Sequence, residues 1–109
     1  MKIAVIGSRG IAEIDFSRVA ARPGDVIVTG GAKGVDSLAE AAAIAFGLEV
    51  EVIRPDYARH GRAAPHIRNR DIVARCDRLV AFWDGESRGT KGTVDYARKQ
   101  GKSVELVRV

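Results

Sequence analysis

The chain has 109 residues, of which 46% are hydrophobic, and its 18 basic and 14 acidic residues leave a net charge of +4. This length suits a single domain, residues 1–109, with enough apolar content for a core. The modest charge argues against a protein that lives on nucleic acid. No apolar run is long enough for a membrane span. The single cysteine, Cys76, excludes an internal disulfide and a cysteine-cluster metal site, and it fits a cytoplasmic protein.

Hydrophobic periodicity in the first half of the chain predicts two strands that alternate with two helices. Residues 2–6 read as a buried strand, and not as the core of a signal peptide, because a glycine turn follows them at once. Residues 11–21 have the pattern of a weak amphipathic helix, which a Pro-Gly pair ends. The β-branched run at 25–29 indicates the second strand, and the alanine-rich stretch 35–46 indicates a strong helix that a glycine ends.

The second half continues the alternation, with one long interruption. Apolar residues alternate with glutamates over 48–54, which is typical of a half-buried strand near a sheet edge. Residues 55–66 are predicted to form a loop of about twelve residues, and loops of that length are usually functional or mobile. The remaining predicted elements are a helix at 67–75, a strand at 78–83, a helix at 92–100 and a last strand at 103–107.

Strands and helices that alternate at this spacing predict an α/β fold. We expect a Rossmann-like three-layer sandwich, in which right-handed β-α-β units build a five-stranded parallel sheet. The expected strand order is 3-2-1-4-5, which sets the carboxyl ends of strands 2, 1 and 4 side by side. Ligands of such sheets bind at the carboxyl edge, where the strand order reverses.

A glycine-bearing turn follows each of those three strands. The turns are Gly7-Ser8-Arg9-Gly10, Gly30-Gly31-Ala32-Lys33-Gly34 and Gly85-Glu86-Ser87-Arg88-Gly89-Thr90. Glycine lets the backbone approach a ligand, a helix start offers unpaired N–H groups, and each turn carries Arg or Lys. Together they predict a site for an anion, with a phosphate-bearing nucleotide as the leading candidate. The predicted ligand-binding residues are Gly7, Ser8, Arg9, Gly30, Gly31, Ala32, Lys33, Gly34, Asp36, Arg68, Asn69, Ser87, Arg88, Gly89 and Thr90.

Some of these residues also fit purely structural roles. Asp36, in a first helical turn, either complements the helix dipole or contacts a ribose hydroxyl. Thr90 either caps a helix or binds phosphate, and Asn69 either caps a helix or reads a base. His60 and His66 lack a spacing typical of metal ligands, so no metal site is predicted.

The chain resembles the SLOG superfamily, which unites the DNA-processing DprA/Smf proteins with the LOG cytokinin-activating enzymes. It is most similar to the small stand-alone YspA/YpsA-related branch. The resemblance implies a Rossmann-like fold that binds a nucleotide or nucleotide-derived ligand, with no further cofactor required. It also implies a homodimer or higher homo-oligomer, because members often dimerise. The matching features are Gly7-Ser8-Arg9, Thr29 to Asp36, the Pro55, Tyr57, Gly61 and Arg68-Asn69 stretch, and Ser87-Arg88-Gly89-Thr90.

One departure from the LOG pattern argues against an enzyme. The LOG motif has a catalytic glutamate three residues after the threonine that corresponds to Thr90, and this chain has Thr93 there. Asp95 is two residues out of register, and on a helix that offset places its side chain on a different face. Hydrolysis of an N-glycosidic bond needs a carboxylate to orient water or stabilise charge on the sugar. The first hypothesis is therefore a nucleotide-binding module, with a sensor role as one form of it.

Two alternatives stay open. A nucleoside-phosphate hydrolase or transferase would take its catalytic carboxylate from Asp36 or Glu40, with Glu86 and Asp95 as further candidates. Single-stranded DNA binding, as in DprA-like proteins, is disfavoured by the modest net charge and by Glu40, which stands where those proteins tend to have histidine. Its basic and aromatic contacts would be Arg59, Arg62, Arg68, Arg70 and Tyr57.

Overall fold

Runs rich in valine and isoleucine form the strands, because β-branched side chains suit a pleated, buried surface. A computed structural model describes all residues from Met1 to Val109. All neighbouring strands are parallel, and their order is β3-β2-β1-β4-β5, which confirms the predicted topology. The strands are β1 (Lys2–Gly7), β2 (Val26–Thr29), β3 (Glu49–Val52), β4 (Arg78–Trp83) and β5 (Ser103–Arg108).

Helices cover both faces of this sheet. The connection from β2 to β3 contains α1 (Val35–Ala45), and the connection from β3 to β4 contains the one-turn helix α2 (Tyr57–His60) and the longer α3 (Ala64–Arg75). The connection from β4 to β5 contains α4 (Arg88–Lys99). None of these helices combines the length and the apolar character that crossing a bilayer requires.

The side chains of β1 show how the three layers are held together. Ile3 and Val5 point to one face and belong to the apolar cluster beneath α1, whereas Ala4 and Ile6 point to the other face and belong to the cluster beneath α3 and α4. Because successive side chains of a strand alternate between faces, a strand covered on both sides must be apolar throughout. The three-layer sandwich is therefore confirmed.

The predicted helix at 11–21 is wrong. Only a short 3₁₀ helix, Phe16–Val19, forms there. The Asp15 carboxylate accepts from the Ser17 amide at 3.1 Å and from the Ser17 hydroxyl at 2.6 Å, so a local turn competes with the helical ladder. Ala20 then adopts a left-handed conformation. The apolar pattern was nevertheless informative, because Ile11 and Val19 are buried in the cluster beneath α1.

The predicted loop at 55–66 is also wrong, since most of it is helical. The Asp56 carboxylate caps α2 by accepting from the Arg59 amide at 3.1 Å. A 3₁₀ turn, Gly61–Ala63, then leads into α3, which starts three residues earlier than predicted and has Pro65 in its first turn. The segment therefore has a defined backbone and brings its charged residues to the sheet edge in fixed positions.

The strand order reverses between β1 and β4. The chain leaves β1 to cover one face and leaves β4 to cover the other, so a crevice opens between their carboxyl ends. The register pairs Gly7, the last residue of β1, with Phe82 of β4. The prediction that β3 lies at a sheet edge is confirmed as well.

Candidate functional site

The carboxyl ends of β1, β2 and β4 enclose a cleft of about 450 Å³, and all three glycine turns contribute to its walls. The residues that line it are Ile6, Gly7, Arg9, Gly10, Ala32, Asp36, Pro65, His66, Arg68, Asn69, Ile72, Asp84, Ser87, Gly89, Thr90 and Thr93. Nine of the predicted ligand-binding residues are in that set. The topology thus brings together segments that are far apart in the sequence.

The first turn is fastened to the third by Ser8. Its amide donates to the Phe82 carbonyl at 3.1 Å, and its buried hydroxyl accepts from the Asp84 amide at 3.2 Å. Ser8 therefore supports the wall from behind. The next two amides, of Arg9 and Gly10, have no hydrogen-bond partner within the protein, and both residues line the cleft. They are donors available to a ligand.

The second turn is shaped by the carboxylate of Asp36, the second residue of α1. Its Oδ2 accepts from the amides of Gly30 at 3.1 Å and Ala32 at 3.2 Å. Burial raises the pKa of Asp36, while those two amides and the nearby Arg68 and Arg9 act in the opposite direction. The amides of Gly30 and Ala32, which the sequence suggested for a phosphate, are thus occupied by this carboxylate.

Arg68 joins α3 to the second turn. Its Nη1 donates to the Gly30 carbonyl, and its Nε donates to Asn69 Oδ1 at 2.8 Å. The residue is only 8% exposed, and burial lowers the pKa of its guanidinium. Because two of its donors are engaged, the guanidinium is held in one orientation along the cleft wall.

The third turn is shaped by Asp84 in a similar way. Its Oδ1 accepts from the amides of Glu86 and Ser87, each at 2.8 Å, and these backbone hydrogen bonds lower the pKa of Asp84. Ser87 caps α4 by accepting from the Thr90 amide at 3.4 Å. Thr90 is therefore not the cap, and its hydroxyl lies 3.0 Å from that of Ser87.

Two amides at the start of α4 have no acceptor. The first and second helical residues, Arg88 and Gly89, precede the first intrahelical bond, and no side chain accepts from their N–H groups. Gly89 lines the cleft directly. The N-terminus of α4, with its partial positive charge, and the free amides of the first turn therefore lie at the same cleft.

Close packing of the first two turns requires glycine. Gly34 has φ of 77°, and a Cβ there would lie 2.6 Å from the Ser8 carbonyl oxygen and 2.7 Å from the Cα of Arg9. At Gly7, a Cβ would lie 2.5 Å from Cγ2 of Val35. Both glycines therefore allow the walls to pack closely. Gly7 lines the cleft itself, whereas Gly34 lies behind the wall.

A second cavity of about 460 Å³ adjoins the cleft, and Arg9, Ala32 and Arg68 line both. It contains three further predicted residues, Gly30, Gly31 and Lys33, together with Arg54, Pro55 and Tyr57. We call this second cavity the arginine pocket. Arg54 was not among the predicted ligand-binding residues, although its place directly after β3, at the same sheet edge, was a signal for it.

A smaller cavity of about 210 Å³ lies between α3 and α4, and Arg88 lines it together with Arg70 and Tyr96. Arg88 is thus set beside the cleft. Among the alternative catalytic carboxylates, Asp36 lines the cleft, whereas Glu40, Glu86 and Asp95 line none of these three cavities. Asp95 instead pairs with Lys91 at 2.6 Å.

Thr93, which stands where the resemblance to LOG enzymes would place a glutamate, brings no carboxylate to the cleft. Thr93 lines the wall, and its hydroxyl donates to the Gly89 carbonyl at 2.9 Å. Sequence reasoning missed His66, Asp84 and Thr93 as lining residues. Asp84 directly follows β4, so its position at the carboxyl edge was the available signal. His66 reaches the cleft only because α3 begins early.

Comparison with known proteins finds a relative in a bacteriophage. No protein-family model matches the chain, and no solved structure matches it. The chain is 37% identical over 84 residues to the Gene 61 protein of Mycobacterium phage D29, an alignment that covers 72% of this chain and 67% of that protein. The chain therefore belongs to the same family as the Gene 61 protein of Mycobacterium phage D29.

Proposed function

We propose that the cleft binds a nucleotide or nucleotide-derived ligand through a phosphate group, and that the chain is a SLOG-type binding module. The observation that carries this proposal is the set of four unpartnered amides at one sheet edge. Arg9 and Gly10 supply two of them, and Arg88 and Gly89 at the start of α4 supply the others. Backbone amides at a helix start favour a phosphate because they donate to its oxygens and add the helix dipole.

The charges beside these amides support the same ligand. The exposed guanidinium of Arg9 is unpaired, and that of Arg68 is held along the wall by the Gly30 carbonyl. A hydrogen bond that involves a charged group contributes about 1.5–3 kcal/mol. Several such bonds, reduced by the cost of association, support micromolar affinity, or about −8 kcal/mol.

The carboxylates support binding in preference to hydrolysis. Asp36 and Asp84 are the carboxylates that line the cleft, and each already accepts two backbone amides that shape a turn. Hydrolysis of an N-glycosidic bond needs a carboxylate that can orient water or stabilise the sugar cation. Thr93 offers only a hydroxyl. The proposed ligand is therefore bound without being cleaved.

A proline at residue 88 tests the role of the α4 amides. Arg88→Pro removes the first helical N–H, which the helix does not use, and Ser87 has φ of −59° and ψ of 114°, near the range preferred before proline. The matched control is Arg88→Ala, which keeps the N–H and removes the same guanidinium. Isothermal titration with AMP and ADP should give micromolar binding to the unsubstituted protein. We expect Arg88→Pro to weaken that binding at least about tenfold relative to Arg88→Ala, as loss of one charge-assisted bond requires.

Three results would count against the proposal. Absence of heat with both nucleotides would refute it, and equal affinities of the two residue-88 variants would remove the Arg88 amide from the site. Release of free base from a nucleoside monophosphate, detected by chromatography, would favour the hydrolase instead. Binding of a single-stranded oligonucleotide that weakens steeply with added salt would favour the nucleic-acid alternative.

A further inference from the structure

The cleft and the arginine pocket differ in their balance of charge. Two aspartates, Asp36 and Asp84, line the cleft together with Arg9 and Arg68, so its fixed charges nearly cancel. The arginine pocket has the same two arginines plus Lys33 and Arg54, and no carboxylate lines it. By formal charge, the arginine pocket is therefore the more positive of the two cavities.

Two of the four cations in the arginine pocket, Lys33 and Arg54, have no counter-charge from the protein, whereas Arg9 and Arg68 lie near Asp36. Neither Lys33 nor Arg54 takes part in a salt bridge, whereas Arg75 pairs with Glu51 at 2.7 Å. Gly31 leaves room for the Arg54 head group, since a Cβ there would lie 2.8 Å from its Nη1. Like charges gathered without a counterion repel each other, and a bound anion removes that repulsion.

The two cavities adjoin each other along shared lining residues. Arg9 and Arg68 line both, so a ligand whose phosphate sits on the free amides of the cleft can extend past Arg9 into the arginine pocket. Building on the proposed function, we infer that the ligand carries a second phosphoryl group, bound by Lys33 and Arg54. The ligand class is then a nucleoside diphosphate or diphosphate ester, and not a nucleoside monophosphate.

Comparison of AMP with ADP by isothermal titration tests this inference directly. We expect ADP to bind at least about tenfold more tightly than AMP, because one added charge-assisted contact gives that ratio. The double variant Lys33→Gln, Arg54→Gln should reduce ADP affinity to the level of AMP while leaving AMP affinity within about twofold. Inorganic pyrophosphate should likewise displace ADP more effectively than inorganic phosphate does.

The matched control is the double variant Arg98→Gln, Lys99→Gln, which removes an exposed arginine and an exposed lysine that line none of the three cavities. It should leave both affinities unchanged, and a loss equal to that of the Lys33→Gln, Arg54→Gln variant would show a general charge effect and overturn the inference. Equal affinities of the unsubstituted protein for AMP and ADP would overturn it too, while leaving the proposed function standing. So would a Lys33→Gln, Arg54→Gln variant that loses AMP as strongly as ADP. If neither nucleotide binds, the proposed function fails and this inference fails with it.

Discussion

Gly34→Ala should destabilise the protein far more than the same substitution at a glycine that has positive φ but open space around it. Gly34 precedes α1 with φ of 77° and ψ of −126°, a backbone region that a side chain disfavours. An added Cβ would also lie 2.5–2.7 Å from the carbonyl oxygens of Ser8 and Arg9 and the Cα of Arg9. These are backbone atoms, which cannot avoid the contact by a side-chain rotation. Gly47→Ala is the matched control, because its φ is 75° and no atom lies within 4 Å of its added Cβ.

Both substitutions place a side chain at positive φ, but only Gly34→Ala adds steric overlap, and its ψ of −126° lies outside the left-handed helical region as well. Positive φ costs an L residue about 1–2 kcal/mol, which is the expected loss for Gly47→Ala. Overpacking adds about 1–3 kcal/mol, so Gly34→Ala should lose roughly 2–5 kcal/mol. At about 4 °C per kcal/mol for a domain of this size, Tm should fall by roughly 8–20 °C for Gly34→Ala and by about 4–8 °C for Gly47→Ala.

Urea and thermal unfolding followed by circular dichroism measure both losses. AMP affinity gives a second readout, since displacement of the first turn also moves the Arg9 and Gly10 amides that we assign to phosphate. Equal destabilisation by the two substitutions would refute the reasoning, because it would mean that the first and second turns do not pack on each other at Gly34.

Two further predictions concern the carboxylate and the hydroxyl that shape the other turns. Since burial raises the pKa of Asp36, the folded state holds that proton more tightly, and the stability of the unsubstituted protein relative to Asp36→Asn should fall as pH rises above about 4. Urea unfolding between about pH 4 and 7 measures this, and the opposite slope would show that the Gly30 and Ala32 amides outweigh burial. Ser87→Ala should cost about 1 kcal/mol through loss of the α4 cap, and an unchanged Tm would contradict the capping role.

The fold was predictable because its determinants are local. Alternating apolar runs and helix-like stretches, combined with the rule for parallel connections, led to the five-stranded sheet in its observed order. The errors in the predicted helices and loops fell where short polar side chains bond to the local backbone and override the apolar periodicity. Asp15 bonds to Ser17 and prevents a helix at 11–21, and Asp56 caps a helix in the predicted loop at 55–66.

Strand periodicity and connection handedness act over short stretches of chain, so the amino-acid sequence was enough to predict the sheet, its strand order and the edge at which three glycine turns meet. Which donors of those turns remain free depends on contacts that form when distant parts of the chain pack together. The Asp36 carboxylate occupies two amides of the second turn, and Ser8 binds the backbone of Asp84 from 76 residues away. The charge of the arginine pocket has the same origin, since Arg9, Lys33, Arg54 and Arg68 come together only when the sheet aligns its carboxyl ends.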